Sequence, residues 1–128
     1  MSSTQVPTVA VVDDDERLRH ALRSLLGSLG LAVTDFASAD DFLVSPACGA
    51  AACLITDVQM PGMSGLELQH HLIEGGNRLP VIFITGFLSE HVRHQAEAGG
   101  AFGIFAKPFD AELLIKCVER ALAGRAID

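Results

Sequence analysis

The sequence predicts an α/β domain in which a doubly wound, five-stranded parallel sheet carries helices on both faces. Two observations lead to this prediction. Five short apolar segments alternate along the chain with five segments whose apolar residues recur at helical spacing. The short segments are hydrophobic on both sides, as expected for parallel strands that helices cover from both faces. The open five-stranded form of this architecture has strand order 2-1-3-4-5 and binds ligands beyond the carboxyl ends of its strands.

The strands are the shortest and most apolar of these segments. TVAVV at residues 8–12 is rich in β-branched side chains and gives the first strand. We place the others at residues 31–36, 52–56, 80–84 and 102–105. The fourth, PVIFI, is almost entirely apolar, which is typical of a strand that is buried on both faces.

The helices between the strands are recognised by capping residues at their starts and by glycine or proline at their ends. We place them at residues 16–29, 38–44, 64–76 and 88–98, with a last helix beginning at Asp110. Ser38 and Ser64 each have an acidic residue three positions later, which is the capping-box pattern. Pro46 stops the second helix, and Gly-Gly pairs close the third and fourth.

Length and composition exclude several classes of protein. The chain has 128 residues, 49% of them apolar, which suits one domain with a sizeable core. The net charge of −7 argues against nucleic-acid contact by this segment. The start of the chain lacks signal-peptide features, and the longest apolar run, residues 79–88, is shorter than the roughly 20 residues that span a bilayer. Three cysteines without CxxC spacing predict reduced thiols, and we expect a cytoplasmic protein without a membrane segment.

Polar and charged side chains stand at the carboxyl ends of four predicted strands. Following strands 1, 3, 4 and 5 in turn, they are Asp13, Asp14 and Asp15, then Asp57, Thr85 and Lys107. In the order 2-1-3-4-5 these four strands are consecutive neighbours, about 5 Å apart. We therefore expect the side chains to meet at one rim of the sheet.

Each of these residues also has a simpler explanation. The three aspartates could cap the first helix, Thr85 could be an ordinary strand-end residue, and Lys107 a solvated surface charge. Together, however, the carboxylates would repel one another unless a cation lay among them, and one lysine does not balance three acids. Mg²⁺ binds through one or two carboxylates plus waters and phosphoryl oxygens. We predict a Mg²⁺ site formed by Asp13, Asp14 and Asp57.

A carboxylate beside Mg²⁺, a lysine and a hydroxyl can accept a phosphoryl group. Asp57 can attack phosphorus as a nucleophile. Mg²⁺ and Lys107 would stabilise the charge on the transferring phosphoryl oxygens. The Thr85 hydroxyl can donate a hydrogen bond to the product, and Gly86 leaves the site open to water or to a partner's side chain.

Four motifs, VVDDD, LITDVQMPGMSGLEL, VIFITG and FAKPF, together resemble the receiver domains of two-component response regulators. The resemblance runs from about residue 9 to residue 123 and implies the flavodoxin-like (βα)5 fold. The TG after strand 4 and the KPF run are most similar to the FixJ-type branch, whose members usually carry a C-terminal DNA-binding domain. We expect a single receiver domain over residues 1–128, with any output domain outside this chain.

The resemblance implies an acceptor and a set of metal ligands. Asp57 would receive the phosphoryl group from a phosphohistidine on a sensor histidine kinase, or from small donors such as acetyl phosphate. Asp14, and Asp13 partly through water, would bind Mg²⁺. Asp57 and the backbone carbonyl of Gln59 would complete the protein ligands.

The resemblance also implies how the phosphoryl group is held and how it acts. Thr85 and Lys107 would contact the phosphoryl group, and the Lys107–Pro108 bond would be cis. The domain would be regulatory rather than an enzyme in metabolism, with intrinsic Mg²⁺-dependent autophosphorylation and autodephosphorylation. Output, expected to be transcriptional, would pass through the face made by the fourth helix, fifth strand and fifth helix, often by homodimerisation.

Two positions depart from the family pattern. Ile104 stands three residues before the lysine, where the family usually has an aromatic residue that turns inward, and Ala106 stands where an acidic residue is frequent. We expect the chemistry at Asp57 to survive both changes and the output switch to be atypical. Gln59 and Phe87 occupy positions that tune the phosphoryl lifetime in the family.

Three other functions fit parts of the pattern. A haloacid-dehalogenase-like phosphatase would use Asp13 as its nucleophile, but it would want Thr or Val where Arg17 stands and would leave Asp57 without a role. A flavodoxin-like electron carrier would need a phosphate loop after strand 1, where three aspartates repel phosphate. A degenerate receiver that only binds a protein partner would be expected to lack a site residue. The five site residues are all present: Asp13, Asp14, Asp57, Thr85 and Lys107.

Overall fold

The structure, a computed structural model, describes residues 6–127, with side chains described up to residue 124. Its strands are β1 (Thr8–Val12), β2 (Ala32–Phe36), β3 (Cys53–Thr56), β4 (Val81–Thr85) and β5 (Gly103–Ala106). They form one parallel sheet in the order β2-β1-β3-β4-β5. The predicted α/β fold and strand order are confirmed.

Helices connect and cover the strands. They are α1 (Glu16–Gly27), α2 (Ala39–Leu43), α3 (Ala47–Ala50), α4 (Gly65–Glu74), α5 (Glu90–Ala98) and α6 (Ala111–Ile127). The short α3 was not predicted. Pro46 ends α2 as expected, but it also precedes α3, since proline fits at a helix start where its missing N–H is not needed. Within residues 6–127, no helix is both long and apolar enough to cross a membrane.

Side-chain caps fix where the helices begin. Ser64 and Glu67 form the predicted capping box, with each side chain accepting the other's backbone N–H at 3.1 and 2.8 Å. Asp110 accepts two backbone amides at the start of α6. Helix α5 begins two residues later than predicted because the Ser89 hydroxyl accepts the N–H of Val92 and so sets the first turn.

The sheet has a separate apolar layer on each face. Alternate residues of a strand point to opposite faces, so each strand contributes to both layers. One layer lies under α2, α4 and α5 and includes Val12, Leu54, Phe83, Phe42, Leu68 and Ala96. The other lies under α1 and α6 and includes Val11, Ile55, Ile84, Leu22, Leu26 and Leu114. Burial on both faces explains why the strand sequences are continuously apolar.

Strand register brings the predicted site residues to one rim. Val12 is the partner of Thr56, and the N–H of Asp57 donates to the Val12 carbonyl at 3.1 Å, so the residues that follow β1 and β3 emerge side by side. Across β4 and β5, the N–H of Lys107 donates to the Thr85 carbonyl at 2.8 Å. Backbone hydrogen bonds alone therefore place these residues at the same rim.

Gly65 lets α4 begin directly against the end of β3. Its N–H donates to the Val58 carbonyl at 2.8 Å. A Cβ built at position 65 would collide with the backbone carbonyl oxygen of Asp57, which is too rigidly held to move aside. The loop between β3 and α4 can therefore keep its path only with glycine at this position.

We expect Gly65→Ala to destabilise the domain by about 1–3 kcal/mol, because the added methyl group overpacks the backbone at the rim. The matched control is Gly124→Ala in α6, where an added Cβ meets no atom within 4 Å. There, alanine should stabilise by about 0.5–1 kcal/mol through its helix propensity. Urea unfolding of both variants measures the two effects, and equal stabilities would contradict the proposed collision.

Candidate functional site

A lysine bridges two buried carboxylates at the rim. The Lys107 Nζ atom lies 3.0 Å from Asp57 Oδ2 and 3.3 Å from Asp13 Oδ2. The side chains of Asp13 and Asp57 are only 2% and 9% exposed, so their charges are poorly screened by water. The structure thus brings together three of the predicted site residues, which directly follow β1, β3 and β5.

The environment of Asp13 disfavours its charged form. Burial raises the pKa of Asp13 above its usual 3.8 and is the largest effect. The hydrogen bond from the Asp15 N–H, 2.8 Å from Asp13 Oδ1, and the charge of Lys107 oppose this rise, whereas the charge of Asp57 adds to it. The pKa of Asp13 remains raised, so the Asp15 hydrogen bond and Lys107 do not fully offset the effect of burial.

Lys107 responds to the same carboxylates in the opposite sense. Burial alone would lower the pKa of Lys107, but the hydrogen bonds and charges of Asp57 and Asp13 outweigh burial and raise it above 10.5. The stabilising contribution of Lys107 is therefore present below pH 10.5 and is lost as the pH rises through its raised pKa.

Asp13, Asp14 and Asp57 form an oxygen-rich cluster at the same place. Each offers one carboxylate oxygen, and these oxygens all lie within 4.8 Å of one another. Two of the residues are buried and Asp14 is exposed, so the cluster opens to solvent on one side. An all-oxygen donor set that keeps room for water suits a hard divalent cation such as Mg²⁺.

The aspartate triplet after β1 divides between two roles. The Asp15 carboxylate accepts the N–H of Arg17 at 3.0 Å and caps α1. Asp13 and Asp14 instead belong to the carboxylate cluster. The helix-capping explanation was therefore right for one residue of the triplet.

Gln59 contacts the cluster directly, and Thr85 contacts Lys107 through the backbone. Thr85 is buried at the end of β4, and its hydroxyl oxygen accepts the N–H of Phe87 at 3.2 Å. Gln59 donates its backbone N–H to Asp57 Oδ1 at 3.2 Å, which orients the carboxylate. The phosphoryl contact of Thr85 and the metal-binding carbonyl of Gln59 stay predictions.

The structure adds two residues that the sequence analysis did not identify. Arg19 of α1 donates to the backbone carbonyl of Asp13 at 2.7 Å and to the Asp35 carboxylate of β2 at 2.9 Å. The available sequence signal was an arginine one turn into the helix that follows the aspartates. Asp35 gave no signal, because it becomes a partner only through pairing of β1 with β2.

The departures at the end of β5 are visible in the structure. Ile104 is half-buried and packs against the apolar layer under α4 and α5. Ala106 is exposed. The Lys107–Pro108 bond is cis, as the resemblance implied.

Comparison with known proteins decides the family. The family model described as the response regulator receiver domain matches residues 9–119. The chain belongs to this family. The phosphatase and electron-carrier interpretations are therefore set aside, and the domain is a regulatory module of a two-component response regulator.

Relatives among curated proteins are bacterial regulators. The chain is 41% identical over 120 residues to the response regulator protein TodT of Pseudomonas putida. The aligned region covers 94% of this chain and 53% of TodT. It is 42% identical over 120 residues to the transcriptional regulatory protein FixJ of Azorhizobium caulinodans. Here the aligned region covers 94% of this chain and 56% of FixJ. The receiver chain spans about half the length of these relatives.

Solved structures agree with the assignment. The structure of FixJ-N superposes with a TM-score of 0.83 at 36% identity and covers 94% of this chain and 96% of that one. The response regulator StyR superposes with a TM-score of 0.86 at 40% identity and covers 95% of this receiver and 62% of StyR. These likenesses are consistent with the predicted FixJ-type branch.

We expect Asp13→Asn to stabilise the metal-free receiver at neutral pH by on the order of 1 kcal/mol, a typical single-residue effect. A raised pKa means that the Asp13 carboxylate opposes folding, and this penalty is absent below pH 3.8 and complete above the raised pKa. The gain should therefore shrink as the pH falls toward 3.8. Chemical unfolding with a chelator present measures it, and destabilisation at neutral pH would show that pairing with Lys107 outweighs burial.

Proposed function

We propose that Asp57 accepts a phosphoryl group from a phosphohistidine of a sensor histidine kinase and thereby switches the output of a two-component response regulator. The observation that carries the proposal is the Lys107 ammonium shared between the Asp57 and Asp13 carboxylates, 3.0 and 3.3 Å away. A nucleophilic carboxylate beside an ammonium group at a partly open rim suits phosphoryl transfer. Membership of the receiver family supports the same assignment.

The transfer step moves the phosphoryl group from the donor to one carboxylate oxygen of Asp57. One oxygen attacks phosphorus, the bond from phosphorus to the imidazole nitrogen breaks, and the electron pair returns to the imidazole. With acetyl phosphate the bond to the acetate oxygen breaks instead, and acetate leaves. Asp57 Oδ1 is held by the Gln59 N–H and Oδ2 by Lys107, so the carboxylate is oriented before the donor arrives.

Lys107 and Thr85 would then hold the phosphoryl group. The Lys107 ammonium has three donors and can follow the negative charge from the carboxylate to the phosphoryl oxygens. The Thr85 hydroxyl oxygen accepts the Phe87 N–H, which leaves its own O–H free to donate. Because Thr85 is buried, donation to the phosphoryl group would draw this side chain toward Asp57 and couple the site to β4.

The carboxylates of Asp13, Asp14 and Asp57 would hold Mg²⁺, together with the backbone carbonyl of Gln59. Receiver domains generally bind Mg²⁺ at an acidic pocket, and the oxygen cluster fits this ion. When bound, Mg²⁺ supplies positive charge that offsets both the carboxylates and the transferring phosphoryl oxygens. Autophosphorylation and autodephosphorylation would depend on it.

The output would pass through α5, β5 and α6, which are the fourth helix, fifth strand and fifth helix of the sequence prediction. Phe102, next to β5, and Leu113, on α6, are exposed apolar side chains that support a role in homodimer formation. Ile104, which stands in the place of the usual aromatic, makes the switch atypical. We place the receiver in the cytoplasm, and any contact with DNA in a domain outside this chain, as the transcriptional relatives suggest.

We expect incubation with acetyl phosphate and Mg²⁺ to add one phosphoryl group, measured by intact mass. Asp57→Asn and omission of the metal should both abolish the gain, because one removes the nucleophile and the other the charge compensation. The matched control Asp41→Asn, at an exposed aspartate of α2, should label like the original chain.

Labelling that persists in Asp57→Asn would assign the acceptor to another residue. A chain that stays unlabelled by acetyl phosphate and by a phosphorylated histidine kinase would support the remaining alternative, a receiver that acts only by binding a partner.

We expect Mg²⁺ to raise the free energy of unfolding, since binding to the folded state alone adds about 2.7 kcal/mol when the ion is at 100 times its Kd. Asp14→Asn should remove most of this gain because it deletes the exposed ligand. The nearby Glu16→Gln removes the same charge from the first turn of α1, outside the cluster, and should keep the gain. Equal losses in both variants would point to general charge effects instead of a defined site.

A further inference from the structure

The Arg19 side chain connects three elements behind the carboxylate cluster. It extends from α1, is only 16% exposed, and donates through Nη1 to the Asp13 carbonyl at 2.7 Å. Its Nε donates to Asp35 Oδ2 at 2.9 Å. A guanidinium that is this well buried and makes two directed bonds has a defined orientation.

The carbonyl that Arg19 contacts belongs to the peptide bond between Asp13 and Asp14. The peptide bond is planar, so holding its oxygen fixes the plane from which the backbone of Asp14 continues. The N–H of Asp13 is also fixed, because it donates to the Phe36 carbonyl at 3.1 Å. The N–H of Asp13 is thus held by β2 and its carbonyl by Arg19 of α1, while its carboxylate is held by Lys107.

Asp35 keeps Arg19 in place and neutralises its charge. The Asp35 carboxylate is 19% exposed and accepts from Arg19 and, at 3.0 Å, from Arg23. Arg23 is 58% exposed and lies one turn further along α1; within the described part of the chain its guanidinium bonds Asp35 but not the Asp13 carbonyl. The two arginines therefore share one partner and differ in the contact behind the cluster.

We propose that Arg19 is a positioning residue for the metal site: by holding the Asp13–Asp14 peptide, it presents two of the carboxylates in the geometry that Mg²⁺ requires. The inference rests on the Mg²⁺ site proposed above. Mg²⁺ demands near-ideal octahedral geometry, so a rotated Asp14 is tolerated poorly. Groups that orient metal ligands typically contribute about 10- to 100-fold to metal affinity.

Arg19→Gln tests this role against its matched control, Arg23→Gln. Both variants lose one positive charge from α1 and one bond to Asp35. We expect Arg19→Gln to raise the Kd for Mg²⁺, measured by titration calorimetry, by about 10-fold. Arg23→Gln should change this Kd by less than about 2-fold. The rate of acetyl phosphate labelling should recover at saturating Mg²⁺ in Arg19→Gln, because the nucleophile and Lys107 are intact.

A second variant covers the case in which Arg19→Gln does not fold, as judged by far-UV circular dichroism. Arg19→Lys keeps the charge opposite Asp35 but has no planar fork with which to bond Asp35 and the carbonyl together. It should also weaken Mg²⁺ binding by several-fold, toward the roughly 10-fold loss expected without the contact.

The outcomes separate this inference from the function on which it rests. An original chain that does not bind Mg²⁺ overturns the proposed metal site and the role of Arg19 with it. An original chain that binds Mg²⁺, with unchanged affinity in a folded Arg19→Gln or Arg19→Lys variant, overturns the role of Arg19 alone. Equal weakening in Arg19→Gln and Arg23→Gln also overturns it, because the loss then follows the charge on α1.

Discussion

The charge balance among Asp13, Asp57 and Lys107 is the constraint on which the rest of the rim depends. Two carboxylates with little solvent exposure emerge from adjacent strands, and Lys107 reaches both from the far side of β4. Lys107 only partly offsets the cost of burying the Asp13 carboxylate, and the pKa of Asp13 stays raised. Under the proposed function, Mg²⁺ at the clustered carboxylates would offset this cost and would supply positive charge for a phosphoryl donor. The buried Asp13 carboxylate opposes folding of the metal-free chain, so a residue proposed to bind metal lowers stability at this rim.

The backbone supplies most of the precision of the site. Parallel pairing places Asp57 beside the end of β1 and Lys107 beside the end of β4 through the hydrogen bonds that continue the sheet. Gly65 allows α4 to start against the Asp57 carbonyl, and Asp15 starts α1 immediately after the two acidic residues of the cluster. Arg19 then ties the loop after β1 to β2. These contacts use backbone groups and neighbouring side chains, so none of them occupies the clustered carboxylates or the Lys107 ammonium.

The end of β5 is where this chain departs most clearly from the pattern of its family. Ile104 packs into the apolar layer under α4 and α5, where an aromatic ring is usual. A branched aliphatic side chain cannot exchange a buried face for a polar, exposed edge as a large aromatic can. In the proposed switch, coupling from Thr85 to α5, β5 and α6 would therefore depend more on backbone movement at the end of β4. The exposed Phe102 and Leu113 give that face an apolar surface.

The sequence by itself determined the alternation of strands and helices, the strand order and the convergence of Asp13, Asp14, Asp57, Thr85 and Lys107. These follow from periodicity and from the rule that parallel strands share one carboxyl edge. Tertiary structure alone decided which aspartate caps α1, that Pro46 both ends α2 and precedes α3, and that Arg19 meets Asp35 and the Asp13 carbonyl. The Arg19 contacts depend on the pairing of β1 with β2, which local sequence patterns do not encode. The cap of α1 and the role of Pro46 are local, but neighbouring residues fit the same patterns and the folded backbone decides between them.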